Sequence, residues 1–298
     1  MAYHVAALLE ESIRGLNIRP SGLYVDVTFG GGGHSGEILK HLTTGRLIAF
    51  DQDEDAERNV FSDNRFIFLN QNFRFLKNNL KFNGISTVDG IIADLGVSFH
   101  QFDEPARGFT FRHNAPLDMR MNKIGQQKAS DLLASLSETE LADLLYEYGE
   151  LTSSRKIARA IVVARIEKPL LTVNDIEQVI GKLAPFRQEH KFYAKVFQAL
   201  RIAVNHEIDY LKEMLEQALE VLNPDGRLVV ITYHSLEDRV VKNFMKTGNF
   251  KGEVNKDFYG NPVTPFRLIN RKVIIPSEAE ISVNNRARSA RLRIAEKI

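Results

Sequence analysis

The sequence predicts an α/β fold, a parallel β-sheet covered by helices on both faces and interrupted by a block of helices. Three observations predict it. In the first third, short apolar runs alternate with helical stretches, the pattern of successive crossover units. Those runs are apolar at nearly every position, as strands covered on both faces require. From about residue 127 to 222 helix follows helix, and an apolar strand, "RLVVITY", resumes after Gly226.

Taken in order, "LYVDVTF", "GRLIAFDQD", "RFIFLNQNF" and "VDGIIADLG" are the strands of the first third, with "GEILKHL" and "FRFLKNNLKF" as helices between them. "SETELADLLYEYGE" opens with a capping box from Ser137 to Glu140, and "TVNDIEQVIGKL" opens in a similar way. "NHEIDYLKEMLEQALEVL" places Ile208, Leu211, Leu215, Ala218, Leu219 and Leu222 on one stripe. Asn223-Pro224-Asp225-Gly226 makes a turn before the returning strand. "LEDRVVKNFMK" is then a helix capped by Ser235 with Asp238 in its first turn. Further strands are expected around 266–275 and 286–295, and "GNFKGEVNKDFYGNPVTPF" reads as loop. The expected domains are a sheet domain, 1–126 and 223–298, and a helical insertion, 127–222.

A chain of 298 residues, 44% hydrophobic and 26% charged, has an ordinary globular composition. No apolar run approaches the length of a membrane span, and the start carries no basic leader, so cytoplasm is the expected location. There is no cysteine, hence no disulfide, thiolate metal site or thiol nucleophile. The histidines show no metal-binding spacing. Net charge is +1, so any basic surface is local. "SSRKIARAIVVARIEK" carries Arg155, Lys156, Arg159, Arg165 and Lys168 against Glu167, and "RARSARLR" carries four arginines. Composition alone reads both as solubilising charge, on a helix and on a strand.

Ligands of an open parallel sheet bind outside the carboxyl ends of its strands. The first strand ends in Gly30 to Gly33, His34 and Ser35; the second in Asp51, with Asp53 to Asp55 beyond. The third leads to Asn70, Gln71 and Phe73, and the fourth ends at Asp94-Leu95-Gly96. A glycine turn followed about twenty residues later by an acid holds a nucleoside, the carboxylate taking ribose hydroxyls. No GK[ST] phosphate cradle is present, and the second acid, Asp94, suits a cationic cofactor better than a pyrophosphate. S-adenosyl-L-methionine, with its sulfonium and ammonium, fits that pattern; the glycine spacing leaves a nicotinamide dinucleotide open.

Five segments stand in register along the chain: "YVDVTFGGGGHS", "ADLGVSFHQFDEPARGFTFRHNAPLDMRM", "KVFQALRIAVNHE", "ITYHSLEDRVVKNFM" and "NNRARSARLRIAE". Together they resemble the bacterial 16S rRNA cytosine-N4 methyltransferase family across essentially the whole chain. The resemblance implies a class I (Rossmann-like) methyltransferase sheet with a helical insertion that recognises RNA. It implies transfer of methyl from S-adenosyl-L-methionine to N4 of a cytidine in the decoding centre of the small ribosomal subunit. The expected partner is 16S rRNA within that subunit, with no membrane partner, and a homodimer is left open. By the same resemblance Gly32, Gly33, His34, Asp51, Phe73, Asp94 and Gln101 form the cofactor site, and Asp94 is also the catalytic candidate. Arg107, Asp118, Arg120, His234, Arg286 and Arg288 are the substrate-binding candidates, and no metal is expected.

The chain departs from the family pattern at Phe99-His100, where Ser-Pro is usual, at Ala6-Ala7, near a usual Pro, and at Lys195, where arginine is usual. The lysine keeps charge but loses bidentate geometry. The missing cysteine closes the covalent route to C5 of cytosine. Methylating the exocyclic amine needs only an oriented acceptor and an in-line methyl, and Asp94 or the carbonyls of Leu95-Gly96 are placed to accept.

Overall fold

The computed structural model describes residues 6–124 and 127–298. Its elements run α1 (Leu9–Leu16), β1 (Leu23–Asp26), α2 (Gly33–His41), β2 (Arg46–Phe50), β3 (Phe66–Leu69), α3 (Leu76–Phe82) and β4 (Val88–Asp94). Six helices follow: α4 (Phe99–Asp103), α5 (Ala129–Ser135), α6 (Glu138–Glu147), α7 (Ser154–Glu167), α8 (Val173–Ile180) and α9 (Glu189–Asn205). The chain then continues through α10 (Glu207–Val221), β5 (Leu222–Thr232), α11 (Ser235–Thr247), β6 (Phe266–Leu268), α12 (Glu278–Val283) and β7 (Arg291–Lys297).

Two compact units result, one of Met1–Gly96 with Ile208–Ile298 and the other Val97–Glu207. The first holds a seven-stranded sheet in the order β3-β2-β1-β4-β5-β7-β6. Its first five strands are parallel, β7 runs antiparallel to β5, and β6 antiparallel to β7. Both faces of the sheet are covered. One carries Val25, Ile48, Phe50 and Ile91 against Leu211, Met214 and Leu215 of α10; the other carries Leu47, Ala49 and Ile92 against Leu16 of α1 and Ile38 of α2. This explains why the strands read as continuous apolar runs.

The helical unit has its own core and starts and ends earlier than the sequence suggested, at 97 and 207 rather than 127 and 222. The expected boundary at 126 lies outside the described residues. At the front, the loop-like segment "GFTFRHNAPLDMRM" buries Phe109, Ala115, Leu117, Met119 and Met121 in the helical core. At the back, the apolar stripe of α10 packs on the sheet. Both predicted capping boxes are present. Ser137 Oγ accepts from Glu140 N–H at 3.2 Å, and Glu140 Oε2 from Ser137 N–H at 2.8 Å. Thr172 and Asp175 pair in the same way.

Three local expectations change. Asn223–Gly226 is a bulge inside β5, since Leu222 pairs with Val88 while the next partners are Gly90 and Arg227. Asp225 there takes φ 62°, and a Cβ on Gly226 would lie 2.7 Å from the Asn223 carbonyl. The cap of α11 is His234, whose Nδ1 faces the Glu237 N–H at 3.4 Å, and Ser235 is the first helical residue. Arg286 and Arg288 lie in a 3₁₀ turn, Asn285–Ser289, not in a strand; β7 starts at Arg291 and β6 stops at Leu268. Buried Ala287 and Ala290 draw that segment into a turn against the core.

Candidate functional site

The strand order reverses between β1 and β4, so a crevice opens outside their carboxyl ends. The glycine turn after β1 sits there. Gly30 and Gly32 take φ of 51° and 77°, a region that side chains disfavour. A Cβ on Gly32 would lie 2.8 Å from Phe61 and one on Gly33 2.9 Å from Ala6, whereas one on Gly31 would meet nothing within 4 Å. The turn is thus packed on two sides and bare on the third, where a ligand can reach the main chain.

Carboxylates end three neighbouring strands. Asp26, closing β1, accepts from Thr28 N–H at 3.0 Å and from Ser35 Oγ at 2.6 Å. Asp51, just past β2, accepts from Gly30 N–H at 2.7 Å and Asp53 N–H at 2.8 Å, so it clamps the glycine turn. Asp94, closing β4, donates its N–H to Thr28 Oγ1 at 2.6 Å and accepts from the Tyr233 hydroxyl at 2.8 Å. Tyr233 N–H in turn donates to Glu237 Oε2 at 3.0 Å. A hydrogen-bonded chain therefore links the tips of β1, β4 and β5, from Ser35 through Asp26, Thr28 and Asp94 to Tyr233.

Among the described residues no lysine or arginine pairs with any of these three acids. Burial raises the Asp26 carboxyl above its ordinary range. It pushes Asp51 up to about 6 and Asp94 to about 7, in both cases against the hydrogen bonds that favour ionisation. The Tyr233 hydroxyl is raised well above its usual value by burial and by Asp94 beside it. His34 cannot supply the missing charge, because burial lowers its pKa and favours the neutral ring. Its Nε2 lies 3.2 Å from the Ala7 carbonyl and so carries the proton, leaving Nδ1 as a lone pair 3.7 Å from Asp94 Oδ2.

Of the residues predicted from sequence, Gly32, Gly33, His34, Asp51 and Asp94 come together at the crevice. Phe73 opens the 3₁₀ turn that follows β3, with Asn72 capping it and bonding Gln52 at 2.6 Å. Two members of the constellation were not predicted. Asp26 was hidden in plain sight in "YVDVTF", and Tyr233 in "ITYHSLEDR"; a polar residue closing an otherwise apolar strand was the available signal for both.

Of the remaining predicted residues, His234, Gln101, Arg107, Asp118 and Arg120 have structural partners of their own. His234 caps α11, and its Nε2 lies 3.1 Å from Glu237 Oε1 without hydrogen-bond alignment. In the helical unit, Gln101 forms a capping box with Ser98, its Oε1 accepting from Ser98 N–H at 3.0 Å. Arg107 is buried, and its guanidinium donates to the carbonyls of Arg120 and Met121 at 3.0 Å. Asp118 and Arg120 form a bidentate pair at 2.7 and 2.8 Å. Burial would raise Asp118, but the Arg120 bonds outweigh it and hold the carboxyl below its usual range. Arg286 and Arg288 are exposed.

The chain is similar to known proteins along its length. Residues 1–298 match the family described as the MraW methylase family. The ribosomal RNA small subunit methyltransferase H of Bacteroides thetaiotaomicron is 57% identical over 298 residues, spanning 100% of this chain and 98% of that protein. Its counterpart in Phocaeicola vulgatus is 57% identical over 296 residues, 99% of this chain and 97% of that one. The one from Flavobacterium psychrophilum is 55% identical over 291 residues, 97% of this chain and all of that protein. Matched from end to end, the chain belongs to the MraW methylase family.

Proposed function

We propose that this protein transfers a methyl group from S-adenosyl-L-methionine to the exocyclic N4 of a cytidine in the decoding centre of 16S rRNA, in the small ribosomal subunit. One observation supports the cofactor most directly. One buried carboxylate, Asp26, and two half-buried ones, Asp51 and Asp94, surround a bare glycine turn, and among the described residues no lysine or arginine pairs with them. Acids so arranged favour a ligand that brings positive charge. A sulfonium with an α-ammonium does so, whereas a dinucleotide pyrophosphate would add like charge.

The chain's residues fit that group in distinct roles. Asp51, already oriented by two backbone N–H groups, takes ribose hydroxyls, and the open side of Gly31 admits the ligand to the main chain. Phe73 offers a ring to the adenine. When bound, the cofactor supplies an electrophilic methyl. Asp94 then serves the acceptor nucleotide. Its Oδ1 is held by Tyr233, and its Oδ2 remains to accept a hydrogen bond from the cytosine amine. Accepting that bond keeps the nitrogen lone pair out of the ring and takes the proton that becomes acidic as the nitrogen turns cationic. The target base must leave its stack to reach this crevice. Recognition of the surrounding RNA is assigned to the helical unit, 97–207, and the protein acts in the cytoplasm.

Cofactor affinity should depend on pH in a defined direction. Binding a cation favours ionised Asp94 and Asp51, whose carboxyls lie near 7 and 6 in the unliganded protein. Affinity for adenosylmethionine should therefore rise with pH through about 7 and level off above it. Calorimetry from pH 5.5 to 8.5 checks this, with proton release expected near pH 6.5; a flat profile would remove the electrostatic argument. The reaction itself is tested by labelled methyl transfer onto small subunits lacking base modification, followed by mapping. The expected product is one N4-methylated cytidine in the decoding centre, and label on protein or elsewhere on the RNA would overturn the assignment.

A further inference from the structure

The basic helix α7 divides its cations into two groups. The two at its C-terminal end serve the fold. Arg165 Nη1 donates to the carbonyls of Leu133 and Leu136, both at 2.6 Å. Lys168 Nζ pairs with Asp175 Oδ1 at 2.6 Å. The three at the other end do not. Arg155, Lys156 and Arg159 are exposed, and among the described residues none of their side chains has a hydrogen bond, ion pair or ring contact.

Their placement costs the helix stability. Arg155 and Lys156 lie in the first turn of α7, which contains no acid, where the helix dipole disfavours positive charge. Arg155 and Arg159 are four residues apart, so they share a face and repel. Lys156 and Arg159 also line a surface groove of about 460 Å³, together with Ala160, Val163, Ala164, Glu167 and Val179. The small side chains of Ala160 and Ala164, one turn apart, let an extended partner lie close to the helix. The charge at the mouth sets the sign of that partner.

We propose that this face of α7 is a docking strip for the phosphate backbone of the RNA substrate, three phosphates meeting Arg155, Lys156 and Arg159. The proposal rests on the reading of the protein as an rRNA methyltransferase and adds which part of the helical unit grips the RNA. It separates α7 from the capped and buried residues of "ADLGVSFHQFDEPARGFTFRHNAPLDMRM", whose polar groups are engaged within the unit.

The test is the salt dependence of binding to unmodified small subunits by wild type and by a triple variant, Arg155→Gln, Lys156→Gln and Arg159→Gln. Each lost contact to single-stranded RNA flattens the slope of log affinity against log salt by about 0.7, so the variant's slope should be shallower by about two. Between 50 and 200 mM salt, wild type should lose about twentyfold more affinity than the variant. Affinity for adenosylmethionine should stay unchanged. Lys168→Gln, which removes a structural pair from the same helix, should leave the slope alone. An unchanged slope in the triple variant, or an equal flattening by Lys168→Gln, overturns the proposal. So does a triple variant that binds protein-free 16S rRNA as wild type does, since the strip would then face an acidic protein. A wild-type protein that leaves the subunits unmethylated would instead overturn the substrate assignment.

Discussion

Asp94→Asn is expected to lower methyl transfer to small subunits by on the order of 10²–10³ at saturating cofactor, while making the unliganded protein more resistant to heat above neutral pH. The two effects share one cause. In the fold the Asp94 carboxyl is raised to about 7 from an ordinary 3.8, so the folded state holds its proton more tightly than the unfolded chain. Stability contributed by this group is therefore greatest below about pH 4 and falls as pH rises to about 7. Above that, the native state carries a half-buried charge with no lysine or arginine among the described residues to pair with it. Asparagine removes that charge and still accepts the Tyr233 hydroxyl. Single-turnover methyl transfer, with melting curves at pH 5 and pH 8, reads both effects, and full turnover by the variant would refute the role. Tyr233→Phe separates positioning from charge. Losing the 2.8 Å hydroxyl bond removes a contact that favours the ionised carboxyl, so the pH–rate profile should move to higher pH. A merely structural tyrosine would leave that profile in place.

Asn205→Leu is expected to destabilise the helical unit by about 3 kcal/mol. Asn205, almost wholly buried near the end of α9, donates from Nδ2 to the carbonyls of Met119 at 2.8 Å and Arg201 at 2.9 Å, and accepts from Met121 N–H at 2.7 Å. Leucine fills the space but leaves a buried N–H and carbonyl without partners, each costing about 1–3 kcal/mol. The segment it holds is strained, since Met119 takes φ 62°. Arg107, whose carbonyl accepts from Met119 N–H at 3.0 Å, is its second brace. Hydrogen exchange at Met121 reads the change, and an amide as protected as in wild type would show that Asn205 is dispensable.

The crevice was legible because its residues lie at the ends of apolar runs. Gly32, Gly33, His34 and Asp51 follow, and Asp94 closes, a strand marked by a continuous apolar run, and the topology then brings those ends together. What was not legible depends on contacts across the sequence. Nothing local says that Tyr233 reaches Asp94, or that Asn205 fixes residues more than eighty positions earlier. The helical unit was mislocated because "GFTFRHNAPLDMRM" has no helical period; its apolar residues are buried through turns and main-chain bonds. Arg107 became a substrate candidate through the family resemblance alone, and no local signal shows that its guanidinium is turned inward onto the carbonyls of Arg120 and Met121.

The direct pairing of β4 with β5 has a consequence for biosynthesis. Val88 to Asp94 must wait for Leu222 to Thr232 before that flank of the sheet is hydrogen-bonded. At ordinary elongation speeds the wait is on the order of ten seconds. During it the nascent polypeptide presents a strand bearing Val88, Ile91, Ile92 and Ala93 with open amides and carbonyls on that flank, a template for unwanted association. The helical segment, with its own core, can complete itself in the meantime. Fragments ending before residue 222 should therefore be sticky and chaperone-dependent, and solubility should return once the eleven residues of β5 have cleared the exit tunnel.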